Sequence, residues 1–360
     1  MKLVYFIDGI QGMGGMERII IGKANALANE LNHDVTIISA YSSDKPICYP
    51  IDSKVRFVSL DIEKARHDCN ALMFVYEQMR VFLQTLCRTR RQLRQIKPDA
   101  IFFVWVLGAI MLPLVGGKAR KIFESHSSLS NTPHHFFLRL MEQFADTIVT
   151  LTEGNAREFK HCKDVRVIPN YTQKPSKRVI DYSAKRAIAV GRLDPVKGFD
   201  RLIRMWKNTE NLHADWTLDI FGEGPFEDEL RQQIVSSGLT DSVRLRGYSD
   251  NIINEYSNYS VHLMTSHAEG QGLVLLEAQA AGVPSVTFNF QFGASDVVTN
   301  ESNGLLVAQD DETAFQQAMC RIMNSEEDRK RMGEENLRQS CRYTKESIIK
   351  LWNELLKDYS

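Results

Sequence analysis

Ser266-His267-Ala268-Glu269-Gly270-Gln271-Gly272-Leu273-Val274-Leu275-Leu276-Glu277, continued by Ala278-Gln-Ala-Ala-Gly-Val-Pro284, is the stretch from which the chain is best read. Two carboxylates are separated by seven residues. A Gly-rich turn follows the first, and an apolar, Ala-rich helical run carries the second. An acid before a helix and an acid two turns into it reach one ligand lying across the helix N-terminus. There the unpaired N–H groups of Gly272, Leu273 and Val274 and the helix dipole favour an anion such as phosphate. The plainer alternative makes Glu269 a helix cap and Glu277 a solvated helix residue.

The pattern Glu-Gly-x-Gly-Leu-x-Leu-Leu-Glu-Ala-x-Ala-x-Gly-x-Pro resembles the signature of the retaining glycosyltransferases of family 4, which adopt the GT-B architecture. The resemblance implies two Rossmann-like, doubly wound α/β domains facing a cleft, with the last helix crossing back to the N-terminal domain.

Composition is compatible. The 360 residues are long for one core, so two domains are expected. A hydrophobic fraction of 43% and a charged fraction of 25% are those of a soluble globular protein, and a net charge of −1 argues against wholesale nucleic-acid binding. The six cysteines show no zinc or redox spacing, which suggests reduced thiols in a cytosolic protein. Leu3–Ile7 is too short for a signal peptide, and no stretch has the length of a transmembrane helix. The expected location is cytoplasmic, with the inner face of a membrane as a peripheral site.

Taken in order, short apolar runs alternate with helical patterns. Leu3–Ile7, Val35–Ser39, Val55–Leu60, Ala100–Val106, Lys121–Phe123, Thr147–Leu151 and Val165–Ile168 read as strands of a parallel sheet covered on both faces. Pro169 to Lys177 interrupts the pattern with two prolines and polar residues. The alternation then restarts with Arg186–Val190, Trp216–Phe221, Ser242–Arg246, Ser260–Met264, Ser285–Phe288 and Gly304–Val307. The expected domains are residues 1–172, with a C-terminal crossover helix at 343–360, and residues 185–342, joined by a linker at 173–184. In the final helix Ile348, Leu351, Trp352 and Leu355 share a face.

Further motifs sit where strands end. Gly12-Met-Gly14-Gly15-Met-Glu17 opens the first helix, so its backbone is suited to approach a phosphate. It is not the dinucleotide fingerprint, because the third glycine position holds Glu17 and the second strand ends in Ser39-Ala40-Tyr41 without the ribose-binding acid. It resembles the Gly-Gly-x-Glu turn of family 4, with a plain tight turn as the alternative. His126, in Phe123-Glu-Ser-His126, stands where family members carry a histidine on the donor sugar's 6-hydroxyl. Gly191-Arg192-x4-Lys197-Gly198 presents two cations from one turn, a fork and a point charge suited to a diphosphate. Phe221-Gly-Glu-Gly-Pro225 and Arg246-Gly247-Tyr248 mark further turns, and in similar enzymes these line the nucleotide pocket. Tyr248 reads equally as a core aromatic. Two departures from the family pattern, Gln271 for the usual Phe and Asp296 for the commoner Glu, bear on which sugar is used.

The resemblance thus implies a nucleotide-sugar-dependent hexosyltransferase without cofactor or metal. Arg192, Lys197 and helix amides stabilise the leaving diphosphate, Glu277 binds the ribose, and Glu269 approaches the donor sugar. His126 and the Gly14-Gly15 backbone come from the opposite domain. The donor is expected to be UDP-linked, with GDP second. The acceptor is expected to be a glycan or lipid-linked glycan of a cell-surface polysaccharide such as lipopolysaccharide, capsule or exopolysaccharide. The alternatives are a nucleotide-sugar epimerase on the same architecture and a non-catalytic partner subunit.

One helix leaves two readings open. Between Leu72 and Lys97, Leu72, Val75, Met79, Phe82, Leu83 and Leu86 lie on one side and Arg80, Arg88 and Arg91 on another. Either the helix rests on an anionic membrane, extended by Lys118, Arg120, Lys121 and the run from His134 to Phe137, or its apolar face packs on the sheet and its arginines are solvated.

Overall fold

The computed structural model describes residues 1–12, 14–41, 46–65, 70–128, 135–176, 180–209 and 213–359. They form two compact units, Met1–Pro169 with Ile349–Ser360, and Asn170–Ile348. The division falls ahead of the expected linker at 173–184 and again inside the final helix, Lys345–Lys357.

The first unit holds a parallel sheet of β1 (Lys2–Ile7), β2 (Asp34–Tyr41), β3 (Val55–Ile62), β4 (Ala100–Val104), β5 (Arg120–Ser125), β6 (Thr147–Thr150) and β7 (Val165–Val167), in the order β3-β2-β1-β4-β5-β6-β7. The second holds β8 (Arg186–Val190), β9 (Thr217–Phe221), β10 (Val243–Gly247), β11 (Val261–Met264), β12 (Ser285–Asn289) and β13 (Gly304–Ala308), also parallel, in the order β10-β9-β8-β11-β12-β13. Each unit is a doubly wound Rossmann-like domain, as expected. β4, Ala-Ile-Phe-Phe-Val, is buried along its whole length, which is why it reads as a continuous apolar run.

Most strand ends differ from the sequence reading by one or two residues, and two strands show why. β4 stops at Val104 and a helix begins at Trp105, whose φ is 61°, because an unbroken apolar run does not mark where strand becomes helix. β5 extends to Arg120 and Ser125 on either side of its apolar centre, where charged and polar residues hid the strand's length.

The helix Ala71–Ile96 fits neither reading as stated. Its inward face is Val81, Thr85, Thr89, Leu93 and Ile96, while Leu72 (84% exposed), Val75, Tyr76, Met79 and Leu83 face outward. Phe82 and Leu86 pack against the core from partly buried positions. Three of its arginines are engaged: Arg80 pairs with Glu77 at 2.7 Å, Arg88 donates to the carbonyls of Leu60 and Asp61, and Arg90 donates to the Leu114 carbonyl at 3.0 Å, while Arg91 and Arg94 are exposed. Of the suggested extension, Arg120 lies 5.4 Å from the centroid of the Tyr359 ring, Phe136 is exposed, and His134 lies outside the described residues.

In the final helix Ile348, Ile349, Trp352, Leu355 and Leu356 are buried, whereas Leu351, 37% exposed, sits at the edge of the stripe rather than on it. Within the first unit Trp352 meets Phe102 edge-on at 5.7 Å, and Phe102 stacks on Tyr5 at 4.4 Å. No helix among the described residues is long and apolar enough to cross a membrane. Five cysteines, Cys48, Cys87, Cys162, Cys320 and Cys341, are free thiols, and Cys69 lies outside the described residues.

One buried group couples the second unit to pH. His262, on β11, is fully buried, and its Nδ1 lies 3.0 Å from the Ser285 hydroxyl. Burial pushes its pKa down to about 3. A depressed imidazole stays neutral when folded while the unfolded chain protonates, so stability is complete above about pH 6.5 and falls as pH drops toward 3, by about 1.4 kcal/mol per pH unit. Between pH 7 and pH 5 the loss from this one group is about 2 kcal/mol. Denaturant unfolding of wild type and His262→Gln at both pH values is expected to show a smaller pH dependence in the variant by that amount. Equal pH dependence would contradict the assignment.

Candidate functional site

In the second sheet β8 and β11 are neighbours, but the chain runs from β8 to β9 and β10 on one side and from β11 to β12 and β13 on the other. The loops leaving their carboxyl ends therefore part, which opens the crevice where ligands bind in open α/β sheets. Gly191–Gly198 follows β8 and Thr265–Gly272 follows β11. The two loops are laced together: His267 N–H donates to the Val196 carbonyl at 2.8 Å, and the Thr265 hydroxyl donates to the Gly198 carbonyl at 2.9 Å.

The lacing sets the charged side chains. Lys197 Nζ donates to Glu269 Oε1 at 2.6 Å, and the Ser266 hydroxyl donates to the same oxygen at 2.7 Å. Both charged partners keep some exposure, with side chains 22% and 13% accessible, so the pair is held yet reachable. Asp194 organises the turn before it, accepting from Val196 N–H at 3.1 Å ahead of Pro195. The Arg192 guanidinium, largely exposed, pairs with Asp194 on the same loop.

The helix Leu273–Ala281 begins at Gly272, whose φ of 81° suits glycine, and no side chain caps it. Its first amides, including those of Leu273 and Val274, are left for a ligand. Glu277 is buried on this helix, one turn further in, and is not the solvated residue of the plainer reading. Tyr248 follows Gly247 (φ 70°) and is 44% exposed, which excludes it from the core.

Gln271 turns away from solvent: it is buried, and its side-chain carbonyl accepts from Asn170 N–H, the first residue of the unit, at 2.9 Å. Asp296 accepts from Gly293 N–H at 3.2 Å and so closes its own turn.

Three backbone contacts hold the loops after β9 and β10 against this crevice. Gly191 N–H donates to Phe221 O at 3.0 Å, Leu193 N–H to Glu223 O at 2.9 Å, and Gly222 N–H to Gly247 O at 2.8 Å. Gly222 has φ 140°, and a side chain there would be driven into the Gly191 carbonyl.

The first unit carries its own switch point between β1 and β4. Gly14 caps the helix Gly15–Asn29 without a side-chain hydrogen bond, and the Glu17 carboxylate folds back over Gly12 and Gly14. Asp8, just past β1, has its carboxyl pushed up to about 7 by burial, with Lys64 offsetting part of the shift. His126 follows β5 and lies 3.2 Å from Glu124.

The sequence reading passed over Ser266, Asp194, Lys23 and Glu124. Asp194 was visible as a capping residue before a proline, and Lys23 as a cation on the apolar face of the first helix with Ile19, Ile20 and Leu27. Ser266 and Glu124 carried no such signal.

Comparison with known proteins follows these two sheets. A family model described as glycosyl transferases group 1 matches residues 170–339, and one described as Glycosyltransferase Family 4 matches residues 13–172. An uncharacterized glycosyltransferase of Haemophilus influenzae is 28% identical over 367 residues, spanning 99% of each chain. The amylovoran biosynthesis glycosyltransferase AmsD of Erwinia amylovora is 28% identical over 374 residues, also spanning 99% of each. Among solved structures, Anabaena HepE in complex with UDP and glucose superposes with a TM-score of 0.75 at 18% identity, covering 99% of each chain, a likeness of fold.

The glycine contacts make a direct test. Gly222→Ala is expected to destabilise the second unit by about 3 kcal/mol or more, since backbone must move. Gly238→Ala, at φ 72° with open space around it, is expected to cost about 1 kcal/mol. Equal losses in denaturant melts would contradict the close approach of these loops.

Proposed function

The chain belongs to the group 1, family 4 glycosyltransferases, and on that premise we propose that it moves a hexose from a nucleotide sugar, a UDP-hexose, to a glycan or lipid-linked glycan acceptor during assembly of a cell-surface polysaccharide, with retention of anomeric configuration. The observation that carries the reading is the Lys197–Glu269 pair at the switch point of the second sheet, beside a helix whose N-terminus no side chain caps. The polysaccharide context is supported by AmsD, whose name places it in amylovoran biosynthesis, and UDP by the HepE complex.

In this mechanism Lys197 and Arg192 meet the diphosphate, the first as a point charge and the second as a fork of donors, while the amides of Gly272, Leu273 and Val274 add their dipoles. Arg192 reaches the phosphates by leaving Asp194. Glu277 binds the ribose hydroxyls and Tyr248 lines the base pocket. The bond between the anomeric carbon and the diphosphate oxygen breaks as the acceptor oxygen bonds that carbon on the same face. The acceptor's proton passes to the departing phosphate oxygen. Glu269, steadied by Ser266, stabilises the positive charge that develops at the anomeric carbon. His126 contacts the sugar's 6-hydroxyl, and the Gly14-Gly15 backbone approaches the donor. Charge neutralisation by these groups serves in place of a divalent metal.

The outward stripe of Leu72, Val75, Tyr76, Met79 and Leu83 favours contact with a membrane surface that carries a lipid-linked acceptor. Because Arg80, Arg88 and Arg90 are held by protein groups, contact through this stripe rests on the apolar side chains. Leu72→Glu/Val75→Glu is expected to abolish sedimentation with anionic liposomes, and unchanged sedimentation would remove the membrane from the account.

The transfer itself is tested with UDP-hexoses and an acceptor panel, reading product configuration by NMR. Retention is expected, and inversion would overturn the mechanism. Glu269→Gln is expected to lower kcat about a hundredfold with little change in nucleotide affinity, and an unchanged kcat would remove Glu269 from its role.

A further inference from the structure

Three charged or polar side chains are linked in the interior of the first unit. Lys23, Glu124 and His126 have side chains 3%, 3% and 6% exposed. Glu124 Oε2 accepts from Lys23 Nζ and also lies 3.2 Å from His126 Nε2. The Lys23 ammonium sits against three rings, 4.0 Å from the Trp352 centroid, 5.2 Å from Tyr5 and 5.9 Å from Phe102. Trp352 belongs to the final helix, so the end of the chain closes the cage.

Each member accounts for the next. A lone carboxylate at this depth would take up a proton and become a donor. Burial alone would push Glu124 up, but the attraction of Lys23 and the hydrogen bonds from His126 and Lys23 hold it below its usual value. It therefore stays an acceptor. Burial pulls Lys23 down, against Glu124 and the ring faces, which favour its charged form. An ionised carboxylate only accepts, so the His126 nitrogen facing it carries the proton. A buried ion pair is seldom the most stable filling for a core, where apolar residues of like volume serve as well or better. Its end on His126 gives this one a use.

We infer that Glu124, with Lys23 as its caged counter-charge, is a positioning residue for His126: it fixes the ring by its Nε2–H and leaves Nδ1 to meet a sugar hydroxyl. The inference rests on the proposed contact of His126 with the donor sugar. It makes the ring an acceptor at Nδ1 when neutral, which selects for a hydroxyl at that place over a group that cannot donate.

Single substitutions strand a buried charge, so the pair is changed together and folding is checked by melting. Histidine-labelled full-length protein is compared by 1H–15N correlation as wild type, Lys23→Met/Glu124→Gln and Lys23→Met/Glu124→Leu. The His126 Nε2–H is expected to be shielded from water exchange in the wild type. It is expected to be retained in the Glu124→Gln pair, where the new amide carbonyl accepts, and lost in the Glu124→Leu pair, where nothing does. In transfer assays the Glu124→Leu pair is expected to lose about tenfold or more in kcat/KM, and the Glu124→Gln pair is expected to stay near wild type. Absence of the shielded proton in the wild type, its persistence in the Glu124→Leu pair, or equal activity of the two pairs would overturn the inference. A wild type with the shielded proton but no transfer to any acceptor would overturn the functional reading instead.

Discussion

The reversal of strand order between β8 and β11 is the constraint from which the rest follows. Two parallel strands whose chains depart in opposite directions cannot share a connection, so their exits diverge and leave polar backbone facing a crevice. Hydrogen bonds of the Val196 and Gly198 carbonyls to His267 and Thr265 span that crevice at its base and fix the distance between the loops. The Lys197–Glu269 pair is a consequence of that spacing. So is the need for glycine at 222, where a neighbouring loop passes too close for any side chain.

Electrostatics then divide the labour. At the second sheet the charges are paired but keep some exposure, so a competing anion can reach the lysine. In the first unit the Lys23–Glu124 pair is fully enclosed and has no such freedom. A ligand site needs the first kind of charge. A fixed imidazole is served by the second.

Much of this was legible in the sequence, for definite reasons. Parallel strands buried on both faces appear as continuous apolar runs, so both sheets could be read strand by strand. The Glu-x7-Glu and Gly-Arg-x4-Lys patterns fall where strands end, which assigns Lys197 and Glu269 to one site by resemblance, while their direct pairing is seen only in the fold. What stayed hidden depends on non-local contacts. The exposure of Leu72 and Val75 was invisible because periodicity tells which residues share a face and not which face is covered. The inward turn of Gln271 and the Lys23–Glu124 pair depend on residues about a hundred positions apart, and no local spacing encodes them.

Binding of the nucleotide is the most direct test of the central claim, that the switch point of the second sheet holds a sugar-linked diphosphate. Thermal melting of wild type and Lys197→Ala is followed with UDP, GDP and ADP and their hexose conjugates. At about a hundred times the dissociation constant, one nucleotide is expected to stabilise the wild type by about 2.7 kcal/mol and to leave Lys197→Ala nearly unmoved. Stabilisation of neither protein by any nucleotide, or equal stabilisation of both, would contradict it.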